Sequence, residues 1–212
     1  MTHEVDEPGS VEASASASEQ LIERYAEASV PTEYGRVRVV VYHEEGSPHE
    51  HCAIVVGELS DQERVLARVH SECFTGEVLH SLKCDCRQQL DYALKAIVKE
   101  GRGVVMYLRQ EGRGIGLGNK IRAYALQEQG ADTVDANRLL GFDDDLRQYH
   151  AANAILRDLG VRSVRLLTNN PEKVQALRDE GLTVERVPVH IKAGSDNEHY
   201  LATKRTRMGH LP

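Results

Sequence analysis

Cys73, Cys84 and Cys86 fall within fourteen residues, and no other feature of the sequence constrains the fold as strongly. Thiolates are soft ligands that bind zinc at about 2.3 Å, and the turn around Thr75 and Gly76 allows Cys73 to return to the other two. Three protein ligands leave one tetrahedral position open, which is typical of a catalytic zinc. Three buried apolar cysteines are the alternative, and a histidine as fourth ligand would make the site structural. The close spacing favours one zinc ion per chain.

The remaining composition limits the class of protein. A net charge of −7 argues against a nucleic-acid binder, and no apolar run is long enough to span a membrane. With four cysteines and no signal-peptide pattern, a disulfide scaffold is not expected, and we predict a cytoplasmic protein. A basic cluster between residues 102 and 122 fits a small anionic ligand better than a polymer, unless it is only a solvated helix face.

Hydrophobic patterning predicts an α/β fold, a single domain with a central mixed β-sheet flanked by helices. The first third of the chain has the pattern of a β-meander, and strands alternate with helices from Val65 onward. Predicted strands are 37–42, 53–56, 65–69, 103–108, 164–167 and 183–187. Predicted helices are 86–99, 120–129, 149–159, one that starts within Asn169-Asn-Pro-Glu172 with a capping asparagine, and 197–208. Residues 1–29 are interpreted as a flexible N-terminal tail in which a short helix begins over 19–28, and residues 30–212 as the domain.

Two connections between strand and helix carry residues suited to a nucleotide. Glycines alternate at 112, 114, 116 and 118, where the backbone could approach a phosphate, although a flexible connection would look the same. Glu111 precedes them, and a carboxylate can accept hydrogen bonds from both N1–H and the exocyclic amine of guanine, a pair that adenine lacks. Thr168 and Lys173 flank the second turn and suit phosphate oxygens, but capping chemistry is an alternative.

Four motifs occur in order along the chain: Arg68-Val-His-Ser-Glu-Cys73, Lys83-Cys-Asp-Cys86, Arg109-Gln-Glu-Gly-Arg-Gly-Ile-Gly-Leu117 and Leu167-Thr-Asn-Asn-Pro171. Through them the chain resembles GTP cyclohydrolase II from about Val30 to His210. That family opens the imidazole ring of GTP at the first committed step of riboflavin synthesis.

The resemblance implies specific roles for residues of this sequence. Zinc would be bound by the three cysteines, with water in the fourth position. Tyr124 would take part in the ring chemistry, Asp145 would be the proton acceptor and Arg147 the proposed nucleophile. Because a guanidinium stays protonated in proteins, charge stabilisation at the α-phosphate is an alternative role for Arg147. Positions matching the GTP contacts are Arg68, Val69, His70, Ser71, Glu72, Gln89, Glu111, Gly112, Arg113, Thr133, Thr168 and Lys173.

The resemblance also implies the reaction and the partners. GTP would bind with Mg²⁺ on its phosphates, formate and pyrophosphate would leave, and the product would be 2,5-diamino-6-ribosylamino-4(3H)-pyrimidinone 5′-phosphate. We expect a homodimer that binds neither nucleic acid nor a membrane. Two alternatives remain, namely a paralogue that stops at the formamidopyrimidine and a non-catalytic protein that binds GTP or is stabilised by zinc.

Overall fold

A seven-stranded mixed β-sheet forms the centre of the protein, in the order β1-β2-β3-β5-β4-β6-β7. The computed structural model describes residues 22–129, 136, 138–143, 145–191 and 211. Strands β1 to β3 and β5 pair antiparallel, and β5, β4, β6 and β7 pair parallel. The strands are β1 Ile22–Thr32, β2 Gly35–Glu44, β3 Glu50–Val56, β4 Val65–Ser71, β5 Gly103–Leu108, β6 Ser163–Leu167 and β7 Thr183–Val187. The predicted α/β class and mixed sheet are confirmed.

Helices cover both faces of the sheet. Those that the described residues form are α1 Phe74–Glu77, α2 Cys86–Glu100, α3 Gly116–Glu128, α4 His150–Asp158 and α5 Pro171–Asp179, with a 3-10 helix at Glu111–Gly114. Two local signals that the sequence predicts are present. Gly101 ends α2 in the left-handed conformation, and the side chain of Asn170 caps α5 by accepting the amide of Glu172 at 2.8 Å.

The apolar core lies on the two faces of β4 and its neighbours. Ala67 and Val69 point to the face covered by α4 and α5, where they belong to one buried cluster with Ile155 and Leu177. Leu66 points to the other face, in a second cluster under α2. Because successive side chains of a strand alternate between faces, β4 is buried on both sides from Val65 to His70, and it carries two polar side chains, Arg68 and His70, within an otherwise apolar run.

The carboxyl ends of β4 and β5 meet at one edge of the sheet. The two strands are parallel neighbours in which Ser71 pairs with Leu108, and the amide of Glu72 donates to the Leu108 carbonyl at 2.9 Å. The segments that follow these strands carry the first cysteine and Glu111. In α/β sheets ligands bind outside this edge, so the topology places the predicted site there.

The N-terminal prediction of a helix over 19–28 is wrong. Residues Ile22–Thr32 form strand β1, paired with β2 from Ile22 opposite Glu44 to Thr32 opposite Gly35. Residues 22–29, which the sequence interpretation gave to the tail, therefore lie in the edge strand. Almost every side chain of β1 is exposed, so its sequence lacks the apolar alternation that marks a half-buried strand.

Other differences concern helix boundaries and segments beyond the described residues. Helix α3 begins at Gly116, four residues before the predicted start, because glycines lower helix propensity without preventing a helix that tertiary contacts support. The predicted helix at 197–208 and residues 1–21 lie outside the described residues. Among the described helices none has the length and apolar character needed to cross a membrane.

Candidate active site

Three thiols converge where β4 ends and α2 begins. The sulfur atoms of Cys73, Cys84 and Cys86 all lie within 4.8 Å of one another, and Cys73 Sγ is 3.7 Å from Cys84 Sγ. Tetrahedral zinc with bonds of about 2.3 Å requires sulfur atoms about 3.8 Å apart. The residues therefore fit a zinc ion bound by three cysteines. Among the described residues this is the sole cluster of metal-ligating side chains with such a geometry.

Gly76 packs directly against the thiol cluster. It lies in α1, the single helical turn that carries the chain away from Cys73. A Cβ atom at Gly76 would be 2.8 Å from Cys84 Sγ and 3.2 Å from Cys73 Sγ. The turn can pack against the thiols only because this residue has no side chain.

The groups around Cys73 favour the thiolate form of its side chain. Hydrogen bonds from Cys84 and Cys86, together with the charge of Lys120, hold the pKa of the Cys73 thiol far below its usual range. The interaction with Cys73 raises the pKa of the Cys84 thiol. Negative charge is thus favoured at Cys73, and thiolate is the form of cysteine that binds metals.

Glu111 lies beside the thiols and is held there by three donors. Its Oε1 accepts Lys120 Nζ at 2.8 Å and the amide of Gly112 at 2.8 Å, and its Oε2 accepts the amide of Phe74 at 2.6 Å. Gly112 and Arg113 both have positive φ, 61° and 62°, which turns the chain sharply after Glu111. The predicted guanine-binding carboxylate is therefore adjacent to the predicted metal site.

Lys120 connects these two groups. Its Nζ also lies 3.2 Å from Cys73 Sγ. Burial would lower the pKa of Lys120, but its hydrogen bond to Glu111 and the negative charge of Cys73 outweigh burial and raise that pKa. The ammonium is thus charged at any physiological pH.

Tyr124 follows Lys120 by one turn of α3 and faces the same cluster. The Thr75 hydroxyl, whose Oγ1 lies 3.7 Å from Cys73 Sγ, is one of the groups that influence the pKa of the Tyr124 phenol. Lys83 Nζ lies 4.7 Å above its ring. Burial raises the pKa of Tyr124, so the phenol keeps its proton near neutral pH. The ring sits at the rim of the thiol cluster, as a group that exchanges a proton with a bound base would require.

Arg68, on β4, and Lys173, on α5, place two positive charges near the carboxyl end of β4. Arg68 is buried and donates to the Leu167 carbonyl at 2.8 Å and to the Gln89 side chain. Burial lowers the pKa of Arg68 to about 10. Lys173 is also buried and donates to the Val69 carbonyl at 2.8 Å. Two cations under one strand end form a favourable environment for phosphate groups.

Thr168 is held at the strand-to-helix turn between β6 and α5. It is buried, and its Oγ1 accepts the amide of Asn170 at 3.1 Å. The turn predicted to bind phosphate therefore shows the capping contact that was its alternative explanation. The hydroxyl keeps its own proton available as a donor.

His70, Ser71 and Glu72 make side-chain contacts with neighbouring protein groups. Buried His70 contacts Glu77 through Nε2 at 2.7 Å, and burial lowers the pKa of this imidazole. Ser71 accepts Gln110 Nε2 at 2.9 Å, and Glu72 accepts Arg109 Nε at 2.8 Å. These contacts hold the strand end rigidly in place beside the thiols.

Asp145 and Arg147 form a close ion pair. Arg147 Nε lies 2.8 Å and 3.0 Å from the two carboxylate oxygens, and its backbone amide donates to Oδ1 at 3.0 Å. Burial would raise the pKa of Asp145, but these hydrogen bonds and the charge of Arg147 lower it. The amide of Leu146 donates to the Arg113 carbonyl at 3.0 Å, which ties this segment to the turn after Glu111.

Comparison with known proteins agrees with this geometry. The family model described as GTP cyclohydrolase II matches residues 23–188. The chain belongs to the GTP cyclohydrolase II family. It is 53% identical over 195 residues to GTP cyclohydrolase-2 of Neisseria gonorrhoeae, a match covering 91% of this chain and 98% of that one. It is 54% identical over 191 residues to GTP cyclohydrolase-2 of Citrobacter koseri, covering 90% and 97%.

A solved structure also resembles the fold. RibBX, a two-domain 3,4-dihydroxy-2-butanone 4-phosphate synthase from A. baumannii, is similar with a TM-score of 0.52 and 25% identity. The match covers 82% of this chain and 42% of RibBX, so the chain spans less than half of that protein. The resemblance inferred from the motifs is confirmed, and the chain is an enzyme of the GTP cyclohydrolase II type.

Most residues that the family resemblance singles out meet at one edge of the sheet. Thr133 lies outside the described residues, so its predicted contact stays a prediction. Sequence reasoning gave Gly76 only the flexibility of the turn and counted Lys120 only within the basic cluster, so their contacts with the thiols and Glu111 were not predicted. The spacing of four residues between Lys120 and Tyr124 was the available signal, because residues i and i+4 share a helix face.

Proposed function

We propose that this protein opens the imidazole ring of GTP in the first step of riboflavin biosynthesis. It releases formate and pyrophosphate and forms 2,5-diamino-6-ribosylamino-4(3H)-pyrimidinone 5′-phosphate. One observation carries the proposal, which is that a three-thiol cluster fit for zinc lies directly beside Glu111. A carboxylate that selects guanine next to a hydrolytic metal site would hold the guanine base where C8 can be attacked.

The chain's own residues would bind and orient the base. Glu111, which accepts three protein donors, would also accept the N1–H and exocyclic amine of guanine, and a base lacking one of these groups would lose that hydrogen bond. Cys73, Cys84 and Cys86 would hold zinc, which would supply the Lewis acidity that makes water a nucleophile at neutral pH. Tyr124 donates a hydrogen bond to the ring nitrogen that separates from C8, since its phenol stays protonated.

Positive groups would receive the triphosphate. Arg68, Lys173 and Arg147 approach the site from β4, α5 and the segment before α4, and Mg²⁺ would accompany the leaving pyrophosphate. The ion pair with Asp145 supports a charged Arg147 that stabilises the α-phosphate, rather than a deprotonated nucleophile.

Product analysis tests the proposal. The zinc-loaded protein is incubated with GTP and Mg²⁺, and the products are identified by mass spectrometry together with formate and pyrophosphate assays. The diaminopyrimidine phosphate with equimolar formate is the expected result. A product that retains the formyl group would instead identify the paralogue that stops at the formamidopyrimidine, and binding of GTP without turnover would identify the non-catalytic alternative.

We further propose that the enzyme is a cytoplasmic homodimer, as the family resemblance implies. Light scattering coupled to size-exclusion chromatography measures the mass in solution. A mass near twice the 23.6 kDa of the chain is expected.

A further inference from the structure

Lys120 is a largely buried lysine that contacts two acidic groups from different parts of the chain. Its side chain is 12% exposed and that of Glu111 is 8% exposed. Nζ lies 2.8 Å from Glu111 Oε1 and 3.2 Å from Cys73 Sγ. A buried ammonium is costly unless it is paired and hydrogen-bonded, so both contacts are needed to keep it there.

These contacts close a ring of interactions. Phe74 follows Cys73 directly, and its amide donates to Glu111 Oε2 at 2.6 Å. Starting from Cys73, the ring passes through Phe74, the two oxygens of Glu111 and Lys120, and returns to the Cys73 sulfur. Each carboxylate oxygen is thus fixed by a different donor, and both donors are tied to the same metal-ligating residue. Rotation of the Glu111 carboxylate would break at least one contact.

The charges explain why a lysine is needed at this position. Zinc with three thiolates carries a net charge of −1, and Glu111 adds a second negative charge beside it. Lys120 supplies one positive charge between the two. A hydrogen bond to a ligating sulfur also withdraws electron density from it, and such partners of metal ligands change metal affinity substantially.

We propose that Lys120 is a positioning residue for the ring-opening reaction, because its ammonium couples the guanine-binding Glu111 to the zinc ligand Cys73. The coupling fixes the distance between the base and the metal site and offsets their negative charge. Its catalytic consequence rests on the proposed function, whereas its effect on the metal site does not.

Lys120→Met removes the charge and keeps the length of the side chain. Arg122→Met is the matched control, because Arg122 is an exposed cation on the same helix. Its guanidinium donates to the side chain of Asn119. Zinc affinity is measured by competition with a chelator. We expect a loss of about 10- to 100-fold for Lys120→Met and no change for the control.

Two further measurements separate positioning from general stability. In the Co²⁺-substituted protein, loss of the hydrogen bond to Cys73 should move the sulfur-to-cobalt charge-transfer band to lower energy. Inosine triphosphate lacks the exocyclic amine, so the ratio of kcat/KM for GTP to that for inosine triphosphate reports how well Glu111 is placed. We expect this ratio to fall at least tenfold in Lys120→Met, and Lys120→Arg to recover part of it.

The outcomes are distinguishable. Wild-type zinc affinity and an unshifted cobalt band in Lys120→Met would overturn the proposal. If the wild type fails to hydrolyse GTP, the proposed function is wrong, yet the zinc and cobalt measurements still decide the role of Lys120. Should Lys120→Met be insoluble, Lys120→Gln removes the same charge and is subject to the same criteria.

Discussion

Replacing Gly76 by alanine tests the geometry of the thiol cluster directly. The new Cβ would lie 2.8 Å from Cys84 Sγ, and ordinary contacts begin at 3.4 Å, so the two atoms must separate by at least 0.6 Å. Metal–ligand distances are held within about 0.2 Å of their ideal values. The displacement is therefore about three times the deviation in metal–ligand distance that a zinc site tolerates. A second contact, 3.2 Å from the new Cβ to Cys73 Sγ, restricts the directions in which the new side chain can move.

We expect Gly76→Ala to weaken zinc binding about 100-fold, which corresponds to about 2.8 kcal/mol. The backbone itself does not oppose the substitution, because Gly76 lies in a helical turn and has no positive φ. Alanine is favoured over glycine in a helix by about 1 kcal/mol. Loss of zinc would thus come from the side chain and not from the helix.

Gly118→Ala is the matched control for this experiment. Gly118 also lies in a helix without positive φ, but a Cβ there would meet nothing within 4 Å. This variant should bind zinc like the wild type and gain up to about 1 kcal/mol of stability. Zinc stoichiometry, chelator competition and thermal unfolding are measured on both variants. Wild-type zinc affinity in Gly76→Ala would refute the inferred arrangement of the three sulfur atoms.

Three further outcomes are expected. Tyr124→Phe should keep zinc and GTP binding but slow the steps at C8 about 100-fold or more, and formamidopyrimidine should accumulate in product mass spectra. Formate release at the wild-type rate would show that the Tyr124 phenol takes no part in these steps. Arg147→Ala should stop pyrophosphate release, and a covalent adduct on the wild type in single-turnover mass spectra would contradict the electrostatic role given to Arg147. Burial lowers the pKa of His51 below its ordinary 6.5, so below that pH the unfolded chain binds more protons than the folded one and stability falls as pH falls. We therefore expect the free energy of unfolding, measured with urea, to fall less for His51→Gln than for the wild type between about pH 7.5 and about pH 5.5. The difference should be up to about 1.4 kcal/mol per pH unit. Identical pH dependence in the two proteins would show that His51 does not titrate in this way.

The sequence by itself determined the features that depend on neighbouring residues. Strands β5 and β7 match their predicted bounds because local signals mark their ends: β5 is an apolar run between Gly103 and polar residues after Leu108, and β7 lies between Gly181 and Pro188. The cap at Asn170 and the stop at Gly101 are likewise local. The metal-ligand set could be inferred because three thiols within fourteen residues can meet through a single turn.

Only the tertiary structure decided the features that depend on distant segments. Strand β1 buries almost nothing, so its conformation comes from backbone pairing with β2 rather than from its own side-chain pattern. Lys120 and Cys73 are separated by 47 positions, and their contact exists because β4 and β5 end side by side at one edge of the sheet. Glu111 meets Phe74 for the same reason. Side-chain periodicity records which face of an element is buried, but it holds no information about which ends of two strands become neighbours.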